Sequence, residues 1–166
     1  MFDEVQTGNG RTGKLYSYMH FGVLPDVVTT AKGLAAGLPM GATLMSERVS
    51  DVLGYGDHGS TFGGNPICAA AAISVLNRMD EGFLNEVAAK GEYIKNRIEA
   101  AGFAVSGMGL MIGIETKKPV SEVIAACMEK GVLCLSAKEK LRLLPPLNIP
   151  KDVLSEAVDK ILEALN

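Results

Sequence analysis

Thr29-Thr30-Ala31-Lys32-Gly33-Leu34-Ala35-Ala36-Gly37-Leu38-Pro39-Met40-Gly41-Ala42 decides how this chain is read. The β-branched run Val27-Val28-Thr29-Thr30 predicts a buried strand, and the glycines at 33, 37 and 41 predict a loop of little side-chain bulk after it. Lys32 is expected at the strand's end, facing a cavity. Lysine is seldom buried without a partner. It either snorkels to the surface beside a Gly-rich turn, or sits desolvated next to room for a planar group and serves as a Schiff-base amine.

Two other segments bear on that choice. Asp3-Glu4-Val5-Gln6 closes a short apolar strand and runs into the glycine-punctuated loop Thr7-Gly8-Asn9-Gly10-Arg11-Thr12-Gly13. Ligands collect at the carboxyl ends of strands in open α/β sheets, which places Asp3 and Lys32 at one crevice. A carboxylate there suits a protonated pyridinium nitrogen, although Asp3 read alone is a solvated loop acid. The second segment, Asp57-His58-Gly59-Ser60-Thr61-Phe62-Gly63-Gly64-Asn65-Pro66, precedes an alanine-rich run. Small hydroxyls and glycines ahead of a helix offer N–H groups to a phosphate. They equally make an ordinary helix start, with Asn65 capping and Pro66 at the first helical position.

Together Asp3-Glu4-Val5-Gln6-Thr7-Gly8, Gly10-Arg11-Thr12-Gly13, Pro25-Asp26, Ala31-Lys32-Gly33-Leu34 and Gly59-Ser60-Thr61-Phe62-Gly63-Gly64-Asn65-Pro66 resemble the class III aminotransferases, pyridoxal-phosphate enzymes of fold type I. The resemblance runs end to end, with the motifs in order and in register. It covers only the later part of the family's chain, because Met1 falls inside the strand that leads into Asp3. The expected fold is therefore α/β: a partial cofactor-binding large domain over residues 1–81 and a C-terminal α+β small domain over 82–166.

By that resemblance the cofactor is pyridoxal 5'-phosphate, which takes substrate electrons into its ring while the protein supplies position and electrostatics. Lys32 would form the Schiff base and then shuttle the proton as general base and acid. Asp3 would pair with the ring nitrogen, and Gln6 would hydrogen-bond the phenolic oxygen. Val5, two residues beyond Asp3 along an extended strand, would press on the ring face. Ser60 and Thr61 would bind the phosphate, with Thr61 reaching a partner subunit's site, so a homodimer is implied. Arg142, alone between leucines in Leu141-Arg142-Leu143-Leu144-Pro145-Pro146, would take a substrate α-carboxylate in its planar fork. The preceding Ala137-Lys138-Glu139-Lys140 is more charged than the family leads one to expect. Arg11 and His58 are read as structural, tying a loop and bonding backbone.

The implied substrates are an amino donor and a 2-oxo acid, with the terminal amine of N2-acetylornithine passed to 2-oxoglutarate in arginine biosynthesis. Ornithine, succinyl-diaminopimelate and 4-aminobutyrate are the alternative donors. A reading of another class is a catalytically incomplete chain that folds as a structural or cofactor-binding half. A nucleotide binder is disfavoured, since G-x-x-x-x-G-K-[ST] is absent.

Composition narrows the partners. The chain has 166 residues, 48% hydrophobic, enough for one sizeable core or two small ones. A net charge of −3 and 5% aromatic residues argue against a nucleic-acid surface. No apolar run approaches the roughly 18 residues of a membrane span. Cys68, Cys127 and Cys134 are odd in number and form no CxxC pair, so reduced, mostly buried thiols in the cytoplasm are expected, and no metal.

Periodicity supplies the remaining elements. Short helices are expected over 15–21 and from Ser46 as N-cap through Leu53, and a brief strand over 43–45. An alanine-rich helix over 66–79 is expected to pack closely against something. Leu84, Val87, Ile94 and Ile98 mark one face of a helix over 83–101. Strands are expected over 110–116 and 132–135. Helices are expected around Val120, Val123, Ile124, Cys127 and Met128, and around Leu154, Val158, Ile161 and Leu165.

Overall fold

Two short strands run in the same direction side by side: β1 (Phe2–Asp3) and β2 (Val27–Thr30), with Phe2 in register with Val28 and Asp3 with Thr29. Glu4 N–H extends the ladder to Thr29 O at 2.8 Å. β3 (Ala42–Met45) pairs antiparallel on the other side of β2 and completes a three-stranded sheet. The computed structural model describes residues 1–166, which divide into two compact units, Met1–Leu84 and Asn85–Asn166. The division falls in the first turn of a helix that begins at Glu81.

In the first unit, β2 alternates between half-buried and buried residues, and Val28 and Thr30 supply the inward face. A 3-10 turn over Lys32–Ala35 follows, and Leu34 and Ala35 pack against Ala72 of α1 (Pro66–Leu76), flanked by Met40, Ala42 and Ala71. Alanine lets the helix approach that turn. Asn65 Oδ1 caps α1 by accepting from Ile67 N and Cys68 N, with Pro66 at its first position. Beyond Ala72 the helix is little buried in this chain: Ile67 and Ile73 are 70% and 60% exposed. An apolar helix normally has cover on all sides.

Two short helices expected from the sequence form only as 3-10 turns. Ser46 does not cap a helix through Leu53, because its hydroxyl donates to Asp26 Oδ1 at 3.1 Å; only a 3-10 turn, Glu47–Val49, forms. Over 15–21 the chain forms a 3-10 turn, Ser17–His20.

The second unit is an antiparallel sheet in the order β4 (Val105–Met108), β5 (Met111–Glu115), β7 (Lys140–Leu143), β6 (Leu135–Ala137). Its core joins Ile112, Ile114, Leu141 and Leu143 from the strands to Val87, Ile94 and Ile98 of α2 (Glu81–Ala100). Val123 and Cys127 of α3 (Val120–Glu129) and Leu154, Val158 and Ile161 of α4 (Lys151–Leu165) complete it. Gly91 of α2 lies against the β4–β5 turn, where any Cβ would collide with the Gly109 backbone. The strand expected over 132–135 begins only at Leu135. Val132 N–H is already used, bonding Cys127 O at 2.9 Å to close the end of α3.

Candidate active site

Because β1 and β2 are parallel and adjacent, Asp3 at the end of β1 and Lys32 just beyond β2 lie at the same, carboxyl end of the sheet. Asp3 Oδ1 accepts Val5 N–H at 2.9 Å and the Thr29 hydroxyl at 3.2 Å. That bond to Val5 N–H turns the chain off the strand at Asp3, so Val5 lies in a turn. The period-two argument that aligned Val5 with Asp3 therefore does not hold. Gln6 follows in the same turn, half-buried.

Lys32 opens the 3-10 turn with φ +49°, a left-handed conformation that side chains rarely adopt. Its ammonium has no hydrogen bond or ion pair. The expectation of a strand-end lysine in a cavity is corrected on two points. Lys32 belongs to the turn and not to the strand, and it is exposed, as is Asp3. The walls that would desolvate the pair are not supplied by these residues.

Neutral donors and amides build the frame behind the pair. The Glu4 carboxylate is 1% exposed and accepts from Thr7 Oγ1, from Ser17 Oγ at 2.6 Å and from Tyr18 N at 3.0 Å, with no cation beside it. Burial pushes its acid strength one way and these hydrogen bonds the other; the bonds win, holding the carboxyl below its ordinary value. Asn9, 5% exposed at φ +54°, shares a tight turn with Gly10, as Asn-Gly pairs do. Its Nδ2 donates to Thr30 Oγ1 at 3.1 Å and to Ala31 O at 2.9 Å, gripping the carbonyl just before Lys32. Ala31 O can only accept, which fixes the orientation of the amide and leaves Asn9 Oδ1 buried and unpaired. Sequence reading found neither role. The Asn-Gly pair signals the turn, but nothing in the string signals which carbonyl the side chain would meet.

Ser60 and Thr61 stand on the exposed loop before α1. Ser60, with Pro39, Met40, Gly41, Phe62 and Asn65, lines a cavity of about 240 Å³. His58 is exposed and bonds no backbone; the loop-tying imidazole is His20, whose Nε2 lies 3.1 Å from Thr12 O. Arg142 belongs to the second unit, on the β7 face away from the core, half-buried, with Nη2 enclosed and unpaired. The larger cavity of that unit, about 470 Å³ between α2 and α4, includes none of the predicted residues. The three cysteines are free; Cys127 is buried, and Cys68 and Cys134 are half-buried. No helix is long and apolar enough to cross a membrane.

Comparison with known proteins agrees with this geometry. The chain is 46% identical over 170 residues to acetylornithine aminotransferase of Haemophilus ducreyi, an alignment covering all of this chain and 43% of that protein. It is 43% identical to the Bacillus subtilis enzyme of the same name, covering 99% of this chain and 45% of the relative. Among solved structures, ornithine aminotransferase from Toxoplasma gondii matches with a TM-score of 0.91 at 31% identity, over 98% of this chain and 42% of that one. Acetylornithine aminotransferase from Elizabethkingia anophelis matches with a TM-score of 0.88 at 33% identity, over 98% and 44%. A second Toxoplasma gondii structure has partial occupancy of PLP at its active site. The chain thus spans less than half the length of the curated relatives it matches. Residues 1–165 match the family described as Aminotransferase class-III, and the chain belongs to that family.

Proposed function

We propose that this chain is the later part of a pyridoxal-phosphate-dependent aminotransferase that passes the terminal amino group of N2-acetylornithine to 2-oxoglutarate. One observation carries the proposal: an unpartnered amine, Lys32, and a carboxylate, Asp3, stand at the carboxyl end of the neighbouring parallel strands β1 and β2, Asp3 closing β1 and Lys32 in the turn just beyond β2. Their chemistry fits the cofactor, since one group is a primary amine without a competing ion pair and the other is an exposed carboxylate steadied through Oδ1 by two neutral donors. When bound, pyridoxal phosphate would supply the electron sink for breaking a C–H bond on the substrate carbon that carries the transferred amine. Lys32 Nζ holds the cofactor and then carries that proton. Asp3 keeps the ring nitrogen protonated, Gln6 donates to the phenolic oxygen, and Val5 borders the ring. Ser60 and Thr61 take the phosphate, and Arg142 takes the α-carboxylate. The donor identity rests on relatives 41–46% identical to this chain.

We further propose a homodimer in which Thr61 serves the partner's site. The exposure of Thr61, Phe62 and the outer face of α1 supports this, since all would otherwise meet water. Three free cysteines suit a reducing compartment and support a cytoplasmic location. A domain boundary near residues 81–82 accords with helix α2 starting at Glu81.

The exposure of both Asp3 and Lys32 favours a second reading, in which these 166 residues hold the cofactor without turning over substrate. The test is incubation with pyridoxal phosphate, borohydride reduction and mapping of the adduct by mass spectrometry, followed by assay with N2-acetylornithine and 2-oxoglutarate. Adduct at Lys32, lost in Lys32→Ala, with turnover supports the first reading; adduct without turnover supports the second. Labelling spread over the surface lysines with no preference for Lys32 overturns both.

A further inference from the structure

The charged run Ala137-Lys138-Glu139-Lys140 is left unused by the chemistry proposed above. Lys138 and Glu139 form the turn between β6 and β7, and Lys140 begins β7 in register with Ala137. Leu141 and Leu143 point into the core, so Lys140 and Arg142 share the opposite face, roughly 7 Å apart along the strand. Arg142 pairs with Gly113 of β5, and Gly113 pairs with Ser106 of β4. The missing side chain at Gly113 leaves a slot on that face. A Cβ there would stand 3.4 Å from Lys140 Cδ and 3.4 Å from Ser106 Oγ. Lys140 crosses the slot, with Nζ 3.1 Å from Ser106 Oγ and 3.2 Å from Glu115 Oε1. Beside it, the enclosed Nη2 of Arg142 lacks an acceptor. A buried donor without a partner marks a place where an acceptor belongs.

The Lys140–Glu115 pair is substantially exposed, 38% and 61%, and such pairs add little to stability. Its consequence lies in where it puts a movable cation. We propose that Lys140 is a second carboxylate-binding group beside Arg142, restrained by Glu115 until an anionic substrate enters the slot floored by Gly113. The carboxylate of an amino or 2-oxo acid engages the Arg142 fork and draws the Lys140 ammonium from Glu115, so Lys140 strengthens capture and Glu115 opposes it. This rests on the reading of Arg142 as the carboxylate-binding residue.

The test is titration of the 166-residue chain with 2-oxoglutarate, following the Arg142 Nε–H signal by NMR, with Arg142→Ala as the control for site. Lys140→Met is expected to weaken binding about threefold and Glu115→Gln to tighten it by a similar factor. Both effects should fade at high salt. Lys140→Gln repeats the first arm with a polar side chain, and circular dichroism confirms the fold of each variant. Lys138→Met and Glu139→Gln, which change the same charges on the turn, are expected to have clearly smaller effects. Equal effects from the turn variants would mean a diffuse field and would overturn the inference. So would Lys140→Met and Glu115→Gln acting in the same direction, as a purely structural ion pair requires. Binding that survives Arg142→Ala, or no binding by the parent chain, removes the Arg142 reading and this inference with it; failure at that earlier step is distinguishable from failure at Lys140.

Discussion

Thr29 and Asp3 face each other across the parallel pair β1–β2, and the Thr29 hydroxyl donates to Asp3 Oδ1 at 3.2 Å. With Val5 N–H on the same oxygen, Asp3 is held by two neutral donors. These two bonds fix the side chain through Oδ1. Asp3→Asn retains an acceptor oxygen for both donors, so the fold should change by less than about 0.5 kcal/mol. In the assembled enzyme the half-reaction with amino donor should slow about 100-fold or more, since a neutral amide cannot hold the ring nitrogen positive. Rapid-mixing absorbance after donor addition measures it, and a near-normal rate in Asp3→Asn would remove Asp3 from that role.

Gly91 shows a packing constraint that no pattern of polar and apolar residues reveals. Its Cα side faces the backbone of Gly109, closer than any Cβ tolerates. Gly91→Ala should cost about 1–3 kcal/mol in spite of alanine's better helix propensity. Gly82→Ala, in the first turn of the same helix, places its Cβ 3.3 Å from only Asp80 Oδ1, and a shift of a few tenths of an ångström relieves that contact without breaking the bond from Phe83 N–H to the same oxygen. It should be neutral or mildly stabilising. Urea titration of both variants checks the contrast.

The parts of the fold legible in the sequence are those set by local physics. β2 announces itself by Val27-Val28-Thr29-Thr30, and α3 and α4 by apolar spacing that matches their buried faces. β4 is not legible because Ser106, Gly107 and Met108 are exposed, so no alternation is written there. Val5 and Ser46 depart from expectation because one side-chain bond, Asp3 to Val5 N–H or Ser46 to Asp26, redirects the backbone against its local preference. The motif residues Asp3 and Lys32 can be found in the sequence, whereas Glu4 and Asn9 cannot be given roles from it. Their partners, Ser17 and Tyr18 for the one and Thr30 and Ala31 for the other, are brought in only by folding.

The buried Glu4 carboxylate links stability to pH. Its native carboxyl lies below the ordinary 4.5 through the bonds from Ser17, Thr7 and Tyr18. A carboxyl whose acidity increases on folding stabilises the native state fully above the unfolded value, and that stability is lost as pH falls through the folded value. The contribution is therefore constant near neutrality and declines below about pH 4.5. Glu4→Gln should lose about 1.5–3 kcal/mol at pH 7, the range for hydrogen bonds to a charged group. The gap from the parent should narrow steadily as the pH drops below 4.5. A gap that stays constant down to about pH 3 would show that the charge of Glu4 is irrelevant and only its shape matters.

Asn9 tests whether the frame behind Lys32 is specific. Its amide grips Ala31 O while its backbone occupies φ +54°, so two properties of asparagine are in use at once. Asn9→Gly keeps the turn, because glycine takes positive φ freely, and loses only the side-chain bonds; a loss of about 1–2 kcal/mol is expected. Asn9→Asp keeps the shape but turns a carboxylate oxygen toward Ala31 O, an acceptor facing an acceptor in a buried place. Its loss should be larger, about 2–3 kcal/mol or more. The Leu34 N–H, bonded to the same Ala31 carbonyl at 3.1 Å, should exchange with deuterium faster in both variants, and fastest in the aspartate. Should aspartate prove as stable as asparagine with Leu34 exchange unchanged, the grip on Ala31 contributes nothing to the turn that presents Lys32.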